Sequence, residues 1–188
     1  FAHERDAVLA ALIARAAGRP AAELPGVAEN RAMFHRLGVD PTKTRPSSEA
    51  LLRRVLQGKG LPTILPAVDA CNLASLEHQM PLGLYDRDQV QQAVFARMGR
   101  IGEGYEGIRK GFVNLSMRPL LADDAGAFGA PTSDSARTQV GPHTRNVLVV
   151  VYGARDRAAG DLMQMLERIA DLLARYTSAH CDVVRTVS

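Results

Sequence analysis

The chain has 188 residues, of which 46% are hydrophobic and 23% charged, and its formal net charge is +3 at pH 7. These values are typical of a globular domain and exclude a disordered chain, which would need lower hydrophobicity or a larger net charge. No apolar run approaches the roughly 20 residues that cross a bilayer, so no membrane partner is expected.

The first part of the chain and its last long segment carry apolar residues at helical spacing. Ser47 is a natural N-cap, and Gly18, Gly38 and Gly58 each follow an apolar-periodic stretch at the place where glycine usually ends a helix. The pattern predicts helices over 4–17, 28–37, 46–58, 67–78 and 161–176.

The middle of the chain changes to short apolar runs separated by Gly, Pro and Asp, which is typical of strands and turns. The predicted strands are 82–85, 95–98, 104–108, 120–122 and 146–152, with an edge strand at 181–187. Helices first, strands in the middle and a helix last favour the α+β class over an alternating parallel sheet. We interpret 1–188 as a single domain, with 1–38 as its helical N-terminal part and 39–188 as its core.

Cysteine and histidine usage argues against a metal site. Cys71 and Cys181 are too few for a disulfide framework or a cysteine cage, and the five histidines are scattered. We therefore expect a cytoplasmic protein with no metal and no cofactor. The run 102–107 has the G-x-G-x-x-G spacing, but no helical pattern follows it and two glutamates would repel phosphate, so turns explain its glycines better.

The positive charge is concentrated between residues 31 and 59. Seven basic residues face two acidic ones there, a net charge of +5, which leaves −2 for the remainder of the +3 chain. Such a local excess is what a phosphate-bearing partner requires; the alternative is a solvated helix face with local ion pairs. The residues expected to contact phosphates are Lys43, Arg45, Arg53 and Arg54.

The segment 126–138 is the chemically richest loop of the sequence. It contains Thr132, Ser133, Asp134, Ser135, Arg137 and Thr138 within seven residues, a set that could converge on a polar ligand, a water or an ester carbonyl. The alternative is that these side chains bond to their own backbone in turns. No nearby histidine is available to activate Ser135 as a nucleophile.

Several runs resemble a known family. Residues 38–54 (GVDPTKTRPSSEALLRR), 61–62 (LP) and 68–72 (VDACN) are similar to the stand-alone B3/B4 domain family, named for a region of the bacterial phenylalanyl-tRNA synthetase beta chain. The more distant synthetase pattern can be followed through 68–77, 79–86, 102–103, 121–123 and 144–148. The resemblance covers roughly residues 30–176.

The resemblance implies layered β-sheets with helices packed on them. In the synthetase this region holds a pocket that hydrolyses tyrosine wrongly esterified to tRNA. Here the family's pocket histidine is replaced by Gly83, and its Gly-Gly-Glu run by 132–135. The final Thr-Asp-Ala segment of the pocket is missing.

The sequence therefore predicts a domain that binds tRNA or its aminoacylated end, with no DNA partner. One hypothesis is hydrolysis of mischarged aminoacyl-tRNA in trans, with Asp134, Ser135 and Thr138 in the catalytic site and Arg137 among the RNA- or substrate-binding residues. The alternatives are a non-catalytic module for tRNA or an amino-acid-like small molecule, and a module that docks on a protein through its N-terminal helices. Aminoacylation is excluded because no nucleotide-binding motif is present. Asn72 is expected to be buried and bonded to backbone.

Overall fold

The structure is a computed structural model that describes residues 1–154 and 157–182. Within these ranges it is an α+β fold with five α-helices and eight strands, which confirms the predicted class. The helices are α1 Ala2–Ala16, α2 Pro25–Arg36, α3 Ser47–Leu56, α4 Pro66–His78 and α5 Ala159–Thr177. All five lie within a few residues of their predicted positions.

The strands are β1 Leu82–Asp86, β2 Phe95–Met98, β3 Gly104–Glu106, β4 Phe112–Asn114, β5 Pro119–Asp123, β6 Gly126–Ala130, β7 Ser133–Asp134 and β8 Val147–Val151. The sequence predicted five of them and missed β4, β6 and β7, which are short or rich in Gly and Ser. Residues 181 and 182 are not in a strand, and the rest of the predicted edge strand lies outside the described residues.

The chain forms two compact units, each assembled from separate stretches. We call the first the helical unit; it comprises residues 1–30, 48–81 and the described residues from 151 onward. We call the second the strand unit; it comprises residues 31–47 and 82–150. The assignment of 1–188 to a single domain stays a prediction.

The helical unit is built around the inner faces of its helices, and α4 packs against both α1 and α5. Its buried cluster takes residues from α1, from the loop after it and from α2, α3 and α4: Leu12, Ala16, Ala21, Leu24, Val27, Leu52, Val55 and Leu76. The amphipathic spacing of α5 places Met165, Ile169 and Leu172 in the interior. Burial of these apolar side chains is the main stabilisation of the unit.

One buried amide of the helical unit differs from the expectation. Asn30, not Asn72, is the buried asparagine: it is 3% exposed and its Nδ2 donates to the carbonyl oxygen of Gln79 at 2.6 Å. Asn72 is only half-buried, so the prediction for it was wrong. The sequence of α4 has almost no amphipathic pattern, and nearly all of its residues from 69 to 76 are buried, so the sequence does not mark the side on which Asn72 lies.

The strand unit contains an antiparallel sheet in the order β2-β5-β6-β7, a β3–β4 hairpin and a two-stranded β1–β8 sheet. The hairpin register pairs Tyr105 with Val113. A buried cluster of Tyr105, Leu115, Leu120, Ala122 and Ala130 lies beneath these strands. The sheet and the hairpin together hold the segment 126–138 in place.

Candidate functional site

A cleft of about 430 Å³ opens in the strand unit. Its size falls within the range of roughly 300–1,000 Å³ that small-molecule sites occupy. Its walls are the start of the hairpin, the β5–β6 turn and the residues after β7: Gly102, Glu103, Gly104, Tyr105, Glu106, Phe112, Ala125, Gly126, Ala127, Ser135 and Arg137. Of the predicted site residues, the cleft therefore brings together Ser135 and Arg137.

Glycine is required where the hairpin forms one wall of the cleft. A Cβ placed on Gly104 would lie 2.1 Å from the carbonyl oxygen of Val113 on the paired strand. Glycine thus lets β3 and β4 approach closely at this point.

Ser135 lines the cleft but its hydroxyl is already engaged. The residue is 2% exposed, and Oγ accepts a hydrogen bond from the backbone N–H of Arg137 at 2.9 Å. Its own N–H donates to the carbonyl oxygen of Phe128 at 3.0 Å. This is the local turn bonding that Ser favours.

Thr138 is fully buried and lies outside the lining of the cleft. Its hydroxyl donates a long hydrogen bond of 3.5 Å to the carbonyl oxygen of Phe128. Ser135 and Thr138 thus both bind to Phe128, and both stabilise the turn that follows β7.

Asp134 places a carboxyl group in the interior of the strand unit. The Tyr85 hydroxyl and the Leu84 N–H donate to this carboxyl, while its Oδ1 has no hydrogen-bond partner among the described residues. Burial raises the pKa of Asp134 to about 7, although the Tyr85 hydrogen bond and the charge of Lys110 act in the opposite direction. Asp134 is not among the residues that line the cleft.

Tyr85 is the partner of this acid that the sequence analysis missed. Its side chain is fully buried, and its ring meets that of Phe128 edge-on at a centroid distance of 5.0 Å. A Cβ on Gly83 or Gly129 would lie 1.9 or 2.2 Å from the Tyr85 hydroxyl oxygen. The phenol therefore fills the space that a side chain at Gly83 would need, at the position where the family pattern expects a histidine. Gly83, two residues before Tyr85 in a predicted strand, was the available signal.

Arg137 is held by a buried acid. It makes a bidentate ion pair with Asp123, at 2.8 Å from Nη2 to Oδ1 and 3.0 Å from Nη1 to Oδ2. Its Nη1 also donates to the carbonyl oxygen of Gln89, and its guanidinium lies 5.7 Å from the centre of the Phe128 ring. Burial acts to raise the pKa of Asp123, but the hydrogen bonds from Arg137 and Gln91 outweigh it and leave the pKa below its ordinary value.

The predicted phosphate-binding residues divide between the two units. Lys43 and Arg45 are exposed in the loop before α3, in the strand unit. That loop is shaped by Asp40, whose Oδ1 accepts from the N–H and hydroxyl of Thr42 at 2.9 and 2.7 Å. These hydrogen bonds lower the pKa of Asp40.

Arg53 and Arg54 lie on α3 in the helical unit, and both have intramolecular partners. Arg53 Nε donates to Oε1 of the fully buried Glu49 at 3.1 Å, and Arg54 Nε donates to the carbonyl oxygen of Gly60 at 3.0 Å. Arg54 is exposed and Arg53 is partly covered.

Over residues 1–154 and 157–182, no group of three His, Cys, Asp or Glu side chains could hold a metal ion. In the same part of the chain, every helix is too short or too polar to cross a membrane.

The chain is similar to one region of a larger enzyme. It is 29% identical over 161 residues to the phenylalanine–tRNA ligase beta subunit of Streptomyces avermitilis, which covers 78% of this chain and 19% of that protein. The chain thus spans about a fifth of the length of the curated relative.

The family model described as the B3/4 domain matches residues 29–177. The matched region contains the cleft, the buried Asp134 and the whole basic segment between residues 31 and 59. Since the match extends over well more than half of the chain, this protein belongs to the B3/4 domain family.

Proposed function

We propose that this B3/4 domain binds tRNA. The observation that carries the proposal is the net charge of +5 between residues 31 and 59, part of which is presented on exposed Lys43, Arg45 and Arg54. Exposed cations of this density supply the sequence-independent part of nucleic-acid affinity. The similarity to a subunit named for a tRNA ligase supports the choice of tRNA as the ligand.

The residues predicted to contact phosphates differ in their exposure and in their intramolecular partners. Lys43 and Arg45 lie on an exposed loop whose end is fixed by the Ser47 N–H, which donates to the carbonyl oxygen of Pro131 at 2.9 Å. A fixed loop presents its charges with little loss of conformational freedom on binding. Arg53 and Arg137 are partly covered and bond to buried acids, whereas Lys43 and Arg45 on the strand unit and Arg54 on the helical unit are exposed. We therefore assign the main phosphate contacts to these three exposed residues.

The test is the salt dependence of tRNA binding. Affinity measured by fluorescence anisotropy should fall with KCl, with a logarithmic slope of about 0.7–0.9 per phosphate contact. The double variant Lys43→Gln/Arg45→Gln should weaken tRNA binding and should reduce the slope by the amount that about two phosphate contacts contribute. Arg15→Gln, at an exposed position on α1 outside the family match, is the matched control and should change neither. Absence of binding at low salt would overturn the proposal.

A second candidate function is hydrolysis of mischarged aminoacyl-tRNA, and the observation that favours it is Asp134. A buried carboxyl with an unpartnered oxygen and a pKa of about 7 has the proton affinity that a general base needs near neutral pH. In the reaction a water attacks the ester carbonyl carbon and the bond to the ribose oxygen breaks. Asp134 would take up the proton of the water and return it to the ribose oxygen, which leaves as a hydroxyl. Asp134 would orient the water or the substrate amine, with Ser135 and Thr138 holding the carbonyl or the ribose hydroxyls.

Deacylation assays separate this candidate from the binding module. Release of amino acid from a panel of mischarged tRNAs should slow by about 10²-fold in Asp134→Ala and in Thr138→Ala. Binding of tRNA should be unchanged in both variants. If the wild type releases no amino acid above the spontaneous rate, the chain is a non-catalytic module for tRNA or for an amino-acid-like molecule in the cleft.

A further inference from the structure

The terminal strand β2 of the four-stranded sheet presents an open edge. It is the first strand in the order β2-β5-β6-β7, and no other strand among residues 1–154 and 157–182 pairs with its outer side. Apolar side chains are exposed there, since Val94 is 39% exposed and Phe95 54%. Folded proteins usually protect such an edge with Lys, Pro or a bulge. The run 93–97 (AVFAR) contains neither Lys nor Pro.

The pairing of β2 with β5 fixes which backbone groups face outward. The Gly99 N–H donates to the carbonyl oxygen of Arg118 at 2.8 Å, so the backbone groups of Gly99 face the β5 side. Because backbone groups of successive residues point to opposite edges of a strand, those of Val94, Ala96 and Met98 face away from β5. Among the described residues, the outward N–H and C=O groups of Val94 and Ala96 have no hydrogen-bond partner.

Two local features limit this open strip to residues 93–97. On one side, Gln92 has a φ of 55°, which ends the extended conformation. On the other side, Arg97 Nη1 donates to the outward carbonyl oxygen of Met98 at 3.2 Å, so a side chain already occupies the edge there. The same guanidinium makes a bidentate ion pair with Glu103, which neutralises the only charge of the strip.

We propose that the open strip binds the same strip of a second copy of this chain, as an antiparallel pair with Phe95 on the two-fold axis. In this register Val94 of each copy lies opposite Ala96 of the other, and each such pair exchanges two backbone hydrogen bonds. The two Phe95 rings face each other at a position where paired strands approach to a Cα distance of about 4.5 Å. Directly opposed aromatic side chains stabilise a sheet.

The chemistry of the strip favours a second copy over other partners. Unpaired backbone groups of an edge are satisfied by another strand. Each strip has its aromatic ring at its centre and no net charge, so it is complementary to itself, as a two-fold contact requires. Five residues on each side is far below the roughly 20–30 of a standard interface, so the dimer is weak and depends on concentration. The inference is independent of tRNA binding, because Lys43 and Arg45 lie outside the strip.

Association is measured by sedimentation velocity of the full chain from low to high micromolar concentration. The weight-average mass of the wild type should rise from that of a monomer towards that of a dimer. Phe95→Arg opposes two positive charges on the axis and should raise the dimer dissociation constant by about tenfold or more. Phe95→Tyr should behave as the wild type. Ile101→Arg is the matched control and should also dimerise, since Ile101 is 92% exposed in the same unit but lies outside the strip.

Cysteine cross-linking tests the register, in a Cys181→Ser background that removes the exposed native thiol. The Cα atoms of Val94 and Ala96 from opposite copies would lie about 5.5 Å apart, a separation that a disulfide spans. A mixture of the Val94→Cys and Ala96→Cys proteins should therefore form a disulfide-linked dimer under mild oxidation. Either protein alone should not, because its two introduced cysteines would lie about 8 Å apart.

Three results would overturn the proposal. The first is a wild type that stays monomeric at high micromolar concentration. The second is a dimer that Phe95→Arg and Ile101→Arg weaken to the same extent, since the contact would then lie elsewhere on the molecule. The third is a disulfide formed by Ala96→Cys alone and not by the mixture, which would exclude the pairing with Phe95 on the axis.

Discussion

At the scale of single residues, the environment of Asp134 is the least ordinary feature of the molecule. The acid shares a buried position with Tyr85, and one of its oxygens has no partner among the described residues. Burial of such a group favours the neutral carboxylic acid over the carboxylate. Its protonation state therefore changes near pH 7, which links the stability of the strand unit to pH.

We expect Asp134→Asn to remove a pH dependence of stability. The folded-state pKa of Asp134 is about 7, raised from 3.8, so the folded state binds more protons than the unfolded state between these values. The stabilisation that Asp134 gives the folded state is complete below pH 3.8 and is lost as the pH rises towards 7. Urea unfolding should be measured at pH 5, 6, 7 and 8. Relative to the variant, the free energy of unfolding of the wild type should fall as the pH rises towards 7, by at most about 1.4 kcal/mol per pH unit.

His78 changes the free energy of unfolding in the opposite direction to Asp134 as the pH rises, and it is present in both the wild type and the variant. Burial lowers the pKa of His78, so its contribution is lost as the pH falls. The difference between wild type and variant therefore isolates Asp134. Parallel pH profiles for the two proteins would show that Asp134 is already ionised in the folded state at pH 5.

We expect Gly83→Ala to destabilise the protein, because the added methyl group would collide with the Tyr85 hydroxyl. Relief requires movement of a fully buried ring that also bonds to Asp134, and such overpacking costs about 1–3 kcal/mol. Gly111→Ala is the control, since no atom lies within 4 Å of a Cβ there. Thermal unfolding should separate the two variants; equal midpoints would contradict the enclosed position of Tyr85.

At the scale of elements, the Asp123–Arg137 pair ties the end of β5 to the segment after β7. The Asp123 side chain has no solvent exposure, whereas that of Arg137 is 30% exposed. The main role of Arg137 in the fold is therefore to neutralise the buried carboxylate of Asp123. Any effect of its substitution on RNA binding has to be separated from its effect on folding.

Arg137→Ala is expected to lower the free energy of unfolding by about 3 kcal/mol or more, because it leaves the buried Asp123 charge without its partner. Arg145→Ala, at an exposed position in the same unit, should change it by less than about 0.5 kcal/mol. Urea titration of both variants provides the measurement. A loss of tRNA affinity in Arg137→Ala at full stability would instead support its predicted role in RNA or substrate binding.

At the scale of the whole molecule, neither unit is a continuous piece of chain. The helical unit is made of three stretches and the strand unit of two. Each stretch of one unit begins or ends where the other unit continues. Neither unit can therefore be separated from the other by a single cut in the chain.

We expect one cooperative unfolding transition, as the single-domain interpretation of 1–188 requires. The far-ultraviolet circular dichroism of the helices should lose its signal at a lower urea concentration in Arg137→Ala, although that substitution lies in the strand unit. A helical midpoint unchanged from the wild type would show two independently folding units and would overturn the single-domain interpretation.

The sequence by itself determined the helices, the α+β class and the family. These depend on apolar periodicity, on caps and on the order of motifs, all of which are local or linear properties. α5 shows this best, because its apolar spacing alone predicted its position. The strands β6 and β7 were read as a loop, because they are short and rich in Gly, Ala and Ser, although they pair with each other across a tight turn.

Only the tertiary structure decided what the polar segment 126–138 does. Its residue types are equally typical of a ligand site and of a turn, and the difference lies in which atoms they meet. The Ser135 N–H and the Thr138 hydroxyl donate to the carbonyl oxygen of Phe128, Arg137 pairs with Asp123, and the Tyr85 hydroxyl donates to Asp134. Asp123 and Tyr85 lie on strands outside the segment, and Phe128 lies on β6 at its start. Which of them each polar side chain meets is decided by how the strands pair and pack, and not by the spacing of residues within the segment.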